Sequence, residues 1–303
     1  ERSSSAIQTL RHCRKLRCLK FRNKVSTIVQ REVRRIRLIK EQSMEERRDR
    51  PGRFIFHDLM TCDSDRSVNF YRSLFPEWDI QDVDLGEAGT YHVICVGGIK
   101  CGGIVPVDPS SGLTAHWIGY VEVTNCDAAT DCVVAEGGKV PVPTIDVPGI
   151  GKFAVIMDRQ NAMLKALQPA APGELPSEPA SGQFYWNELL TTDVPSARSF
   201  YQSVFGWSAI EQFSQAKDEH ILMRSGDEDV AGVMPMSPEA DHPPAWLTFL
   251  YAEDIDARFK LAESLGAQTV IAPRDIPDAY RFSVQVDPAG AVFAMMQLFA
   301  DEL

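Results

Sequence analysis

One stretch occurs twice in this chain, and the repetition limits the possible folds more than any other feature. Residues 53–62 read RFIFHDLMTC and residues 183–192 read QFYWNELLTT. Asp63 then matches Asp193, Phe70-Tyr71 matches Phe200-Tyr201 and Phe75 matches Phe205, all at an offset of 130. A one-residue difference in a turn brings the offset to 129 at Trp78 and Trp207, where it stays. It then pairs Trp117 with Trp246, Phe153 with Phe282 and Asp158 with Asp287. Self-similarity on this scale means two copies of one structural unit.

Between the copies lies QPAAPGELPSEPASG, residues 168–182, with four prolines and two glycines. That composition makes a semi-stiff exposed linker. The chain thus divides into a basic extension (1–51), a first domain (52–167), the linker (168–182) and a second domain (183–303). Each copy reads as two halves. Residues 54–59 have strand composition, and 64–75 have helical spacing with Asp63 as N-cap. Extended pieces follow near 90–96 and 101–107. The second half opens with a strand over 117–123 and a helix over 127–136 that stops at Gly137-Gly138. Strands near 139–142, 152–157 and 162–167 complete it. The second copy repeats the order with a strand over 246–251, a helix over 255–264 and strands near 268–271, 280–286 and 291–298. The fold class is α+β.

Charge separates the extension from the rest. Residues 1–50 hold 16 Lys/Arg and 6 Asp/Glu, whereas the remainder holds 15 and 36. The acidic body repels phosphate backbones, so no nucleic acid is expected as its partner. No run of about 18 apolar residues occurs, so no membrane span is expected either. The basic segment reads first as an extension without fixed structure, with a helix touching RNA, an anionic membrane or a partner, and a targeting presequence, as rivals. Seven cysteines, none beyond residue 132 and none in a CxxC pair, indicate reduced thiols and a cytoplasmic location.

The order strand, Asp, helix, Phe-Tyr and Trp turn in HDLMTCDSDRSVNFYRSLFPEW and NELLTTDVPSARSFYQSVFGW resembles the vicinal oxygen chelate superfamily. That superfamily includes glyoxalase I, bleomycin-resistance proteins and extradiol dioxygenases. GKFAVIMDRQNAMLKALQP and YRFSVQVDPAGAVFAMMQLF match its closing strands. The resemblance implies four βαβββ modules, paired into two tandem glyoxalase/bleomycin-resistance-like domains, each enclosing a cleft. It does not fix an activity, because the scaffold hosts many chemistries. In metal-dependent members, ligands come from the opening and final strands of the modules. Those positions fall here on Phe56, Trp186, Ile118, Leu247, Lys165 and Ala294, none of them a good ligand. The reading is therefore of a chain with no cofactor. The alternative is a divalent metal on His57, His92 and His116, in a glyoxalase- or dioxygenase-like enzyme.

Strand alternation puts Asp58 on the face of Phe56, and Glu188 on the face of Trp186. A carboxylate on an apolar wall can act as a general base, so Asp58 and Glu188 are the catalytic candidates. Lys165, Phe56, Trp186, Tyr91, Trp117 and Trp246 are the ligand-binding candidates, as a cation and flat apolar surfaces. The resulting expectation is a monomer or homodimer that binds a small organic molecule. Any activity is expected to be of lyase or isomerase type. A non-catalytic drug-binding or interaction protein is the further alternative.

Overall fold

The structure is a computed structural model that describes residues 51–171, 180–211, 220–240, 242–276 and 279–299. The basic extension up to residue 50 and most of the Pro-rich linker lie outside the described residues. In the first half of the fold the order is β1 (Phe54–Thr61), α1 (Ser64–Leu74), β2 (Trp78–Asp84), β3 (Thr90–Val96), β4 (Ile99–Pro106), β5 (His116–Glu122), α2 (Cys126–Ala135), β6 (Lys139–Val147), β7 (Gly151–Met157) and β8 (Met163–Pro169). The second half repeats it with β9 (Phe184–Thr191), α3 (Val194–Phe205), β10 (Ser208–Glu211), β11 (Ile221–Ser225), β12 (Glu228–Pro235), β13 (Ala245–Tyr251), α4 (Ile255–Ser264), β14 (Gln268–Ile276), β15 (Tyr280–Val286) and β16 (Val292–Leu298). The βαβββ unit thus occurs four times.

Each helix starts the same way. Asp63, Asn125, Asp193 and Asp254 accept a hydrogen bond from the backbone N–H three residues on. This satisfies one of the donors that a helix start leaves open. The strands assemble into two eight-stranded sheets, β2-β3-β4-β1-β5-β8-β7-β6 and β10-β11-β12-β9-β13-β16-β15-β14. In the first, β1 runs parallel to β4 and antiparallel to β5, and β5 pairs in parallel with β8. The second sheet repeats those pairings. Four strands differ from the sequence reading: β2 and its copy β10 were not expected, and β6 and β14 run past the expected ends at 142 and 271. Trp78–Asp84 is an edge strand whose charges disguise it. Lys139–Val147 runs past 142 despite Pro141 and Pro143, because an edge strand with bulges tolerates missing donors.

One face of each sheet is covered by helices and by the other half of the molecule. Leu59, Phe70, Tyr71, Leu74 and Ile94 share a core with Leu250, Ile255, Phe259 and Phe293. Val121, Val133, Ile156 and Leu164 share another with Leu189, Phe200, Tyr201 and Trp246. Reciprocal polar contacts join the halves. The Trp78 indole donates to the Gly182 carbonyl at 2.7 Å, and the Trp207 indole donates to the Gly52 carbonyl at 2.6 Å. The opposite, helix-free face carries separate clusters around Tyr120 and Phe153 in the first sheet and around Phe249 and Phe282 in the second. No helix among the described residues is long and apolar enough to cross a membrane.

Candidate functional site

The helix-free face of the first sheet centres on Asp58. Its Oδ1 accepts from the Tyr91 hydroxyl at 3.0 Å. Its Oδ2 accepts from the Tyr120 hydroxyl at 2.5 Å and from Lys165 Nζ at 2.8 Å. Lys165 also donates to the Tyr120 hydroxyl oxygen at 2.6 Å and lies 4.4 Å from that ring's centroid. The donors come from β3, β5 and β8, strands that a flat sheet would spread over about 19 Å, so the sheet curls around the carboxylate. Both charged side chains are only 4% exposed. Gly103 makes room, since a Cβ there would lie 2.1 Å from the Tyr91 hydroxyl. Both carboxylate oxygens and the ammonium are thus engaged by neighbours in the sheet.

The equivalent face of the second sheet is built differently. Glu188 Oε2 accepts from the Trp186 indole at 2.9 Å. Its Oε1 is 2.9 Å from His220 Nε2, the ring nitrogen placed to donate to it. Gly232, the counterpart of Gly103, leaves room for this carboxylate, because a Cβ would lie 2.3 Å from its oxygens. Glu188 is 4% exposed, whereas the His220 side chain is 26% exposed. The bond to Glu188 raises the His220 pKa above its ordinary value against the effect of burial. Trp186 and Leu247 flank Glu188 on this face, within an apolar cluster that also holds Phe249, Phe282 and Tyr280. Burial pushes the Tyr280 phenol up to about 12, so it remains a donor at neutral pH. A buried carboxylate that orients a half-exposed imidazole is suited to moving a proton to or from a bound molecule.

The residues singled out from the sequence separate into three groups. Asp58, Lys165 and Tyr91 meet in the first face, with Phe56 beside them in edge contact with Tyr120. Glu188 and Trp186 meet in the second. Trp117 and Trp246 require correction as ligand contacts. Both are buried on the helix side, where their indoles donate to the Tyr71 and Tyr201 hydroxyls at 3.0 Å. Alternation decides this, because Trp117 lies opposite Leu59 and Trp246 opposite Leu189, both core residues.

The three histidines do not converge, which corrects the alternative metal set. His57 stacks between Phe54 and Phe184 in the core between the halves and bonds Asn187 at 2.9 Å. His92 bonds Asp82 at 2.7 Å, and His116 bonds the Thr114 carbonyl at 2.8 Å. Among the described residues no group of three or more His, Cys, Asp or Glu side chains is placed to hold a metal ion.

Tyr120 and His220 escaped the sequence reading, although the signals were there. Tyr120 is two residues from Ile118 and so shares its face. His220 stands at the offset of 129 from Tyr91, and both donate to the carboxylate of the repeated first strand.

The family model for the Glyoxalase/Bleomycin resistance protein/Dioxygenase superfamily matches residues 184–295. A protein named "Putative glyoxylase CFP32" from Mycobacterium tuberculosis is 31% identical over 245 residues, covering 79% of this chain and 92% of that protein. The chain belongs to the glyoxalase/bleomycin resistance protein/dioxygenase superfamily. A second relative, "Anthracycline biosynthesis protein DnrV" from Streptomyces peucetius, is 26% identical over 261 residues, covering 82% of this chain and 94% of that protein. Among solved structures, the Mn(II)-bound glyoxalase from Novosphingobium aromaticivorans aligns with a TM-score of 0.57 at 15% identity, over 82% of each chain. The 2,2',3-trihydroxybiphenyl 1,2-dioxygenase from Sphingomonas wittichii aligns with a TM-score of 0.59 at 12% identity, over 82% of this chain and 90% of that one. These two likenesses concern the fold. The metal such superfamily members carry does not fit the side chains here. The positions that the family resemblance assigns to ligands hold Phe56, Ile118, Trp186, Leu247 and Ala294, and Lys165 brings an ammonium already bonded to Asp58.

Proposed function

We propose that this superfamily member binds a small organic molecule on the helix-free face of its second half and moves a proton on it with the Glu188–His220 pair, without a metal. The observation that carries this reading is the 2.9 Å bond between a buried carboxylate and a half-exposed imidazole among aromatic walls. In this reading Glu188 holds the His220 Nε2–H and leaves Nδ1 to accept a proton from a carbon beside a carbonyl. The electron pair of that C–H bond moves to the carbonyl oxygen as an enolate, and the proton returns to the same or a neighbouring atom. Asp58 is left out of this role because Tyr91, Tyr120 and Lys165 engage both of its oxygens. The step so written is an isomerase step; a lyase step would have the enolate expel a leaving group from the carbon next to the deprotonated one, with the His220 proton passing to that group.

The test is deuterium exchange into the methyl group of acetophenone, a neutral aryl ketone, followed by NMR. The wild-type chain is expected to accelerate it, and His220→Asn to slow it by about a hundredfold or more. Because His220 must be neutral to act, the rate should rise with pH through a value above 6.5. Glu188→Gln should move that limb to lower pH. Absence of acceleration by the wild-type chain, or full activity in His220→Asn, overturns the reading.

A further inference from the structure

One cation on the second face has no role in the proton transfer. Arg274 lies on β14 directly opposite Phe282 on β15, so the two side chains share the helix-free face. Its guanidinium carbon stands 4.8 Å from the Phe282 ring centroid. The residue is exposed, and among the described residues it makes no ion pair. Its neighbour across the ladder behaves in the opposite way. Arg281 points to the helix side, where Asp256 and Asp275 both pair with it. Arg274 therefore keeps its charge while its flat face rests on an aromatic ring. Between it and the proton-transfer pair lies an apolar wall of Trp186, Phe249 and Phe282. Arg274 on β14 and Glu188 on β9 both face the helix-free side, with β13, β16 and β15 between them.

We propose that the second face selects an anionic aryl ketone, whose carboxylate pairs with Arg274 while its ring lies on Phe282 and Trp186 and the carbon beside its carbonyl meets His220. The charge balance gives the reason for such a device. A chain of net charge −11 repels an anion at long range, so an anionic ligand needs a dedicated cation at the site. An arginine braced on an aromatic ring presents a two-pronged donor suited to a carboxylate. The proposal rests on the acid–base reading for the position of the reacting carbon.

The experiment compares 4-acetylbenzoate, whose ring separates the carboxylate from the ketone as the proposed pose requires, with its methyl ester, using the whole chain. Calorimetry reads binding of each, and NMR reads deuterium exchange at the carbon beside the ketone. The acid should bind at least about tenfold tighter than the ester, the worth of one charge-assisted pair at a half-open site. Arg274→Gln should erase that preference, whereas Arg281→Gln, on the other side of the sheet, should retain it. Equal binding of acid and ester, a preference that survives Arg274→Gln, or failure of the acid to bind at millimolar concentration overturns the proposal. Selective binding of the acid without exchange supports the anion site and sinks the acid–base reading. Exchange on acid and ester alike, with no preference, does the reverse.

Discussion

Asp58 and Lys165 are costly side chains to take out of water, since both are almost fully buried. Each charge loses several kcal/mol of hydration, and the loss is recovered only while the partner and the two tyrosines are in place. Lys165→Met should therefore lower the unfolding free energy by about 3–5 kcal/mol, because it strands a carboxylate. The double variant Asp58→Asn with Lys165→Met should recover most of that loss. Denaturant titration of the three proteins tests this. A single variant as stable as the wild type would mean that the pair contributes nothing. The same residues show how far one side chain can be read from sequence. Strand alternation puts Asp58 with Phe56 in the first sheet and Glu188 with Trp186 in the second, and the structure agrees. Alternation says nothing of which side chain across the sheet engages which. The pairing of Lys165 with Asp58 could still be anticipated from their shared cleft, whereas the link of Glu188 to His220 was invisible.

At the scale of elements, local chemistry was legible where a residue acts on its own neighbours. The four caps are of this kind, since an Asp or Asn side chain needs only the backbone three residues ahead. Asp193→Ala should cost about 1 kcal/mol of stability, measured by thermal or denaturant unfolding, because Ser196 N–H loses its acceptor. No change would mean that water replaces the cap fully. The edge strands were harder to read. Trp78–Asp84 carries three aspartates, and Lys139–Val147 carries two prolines, so propensity argues against both. They hold because each needs only one hydrogen-bonded neighbour, β3 and β7 respectively.

At the scale of the whole molecule, the two halves are joined through their helix-covered faces, and His57 lies in that junction. Its ring is stacked between Phe54 of its own half and Phe184 of the other, and it bonds Asn187. Burial lowers its pKa from 6.5 to about 4. Between those values the unfolded chain takes up a proton that the folded chain refuses, so stability falls as pH drops through that window. The loss approaches about 3 kcal/mol near pH 4. Asp158 and Asp287 act in the other direction, since burial raises their pKa and favours the folded state once they protonate. Comparison with His57→Gln separates the two effects. The variant's stability should depend less on pH from 6.5 downward, and parallel curves would show that His57 does not titrate as described.

The duplication, the strand–helix order and the faces of the strands were all determined along the chain, because they follow from periodicity and from matches at fixed spacing. Tertiary structure alone decided the fate of equivalent residues. Lys165 and Ala294 occupy the same place in the repeat, yet only Lys165 supplies a cation to the carboxylate of its face. His220 acquires its role from a strand 32 residues away in sequence. The physical reason is that a charge's state depends on which groups surround it in space, and those groups come from strands that only the folded sheet brings together.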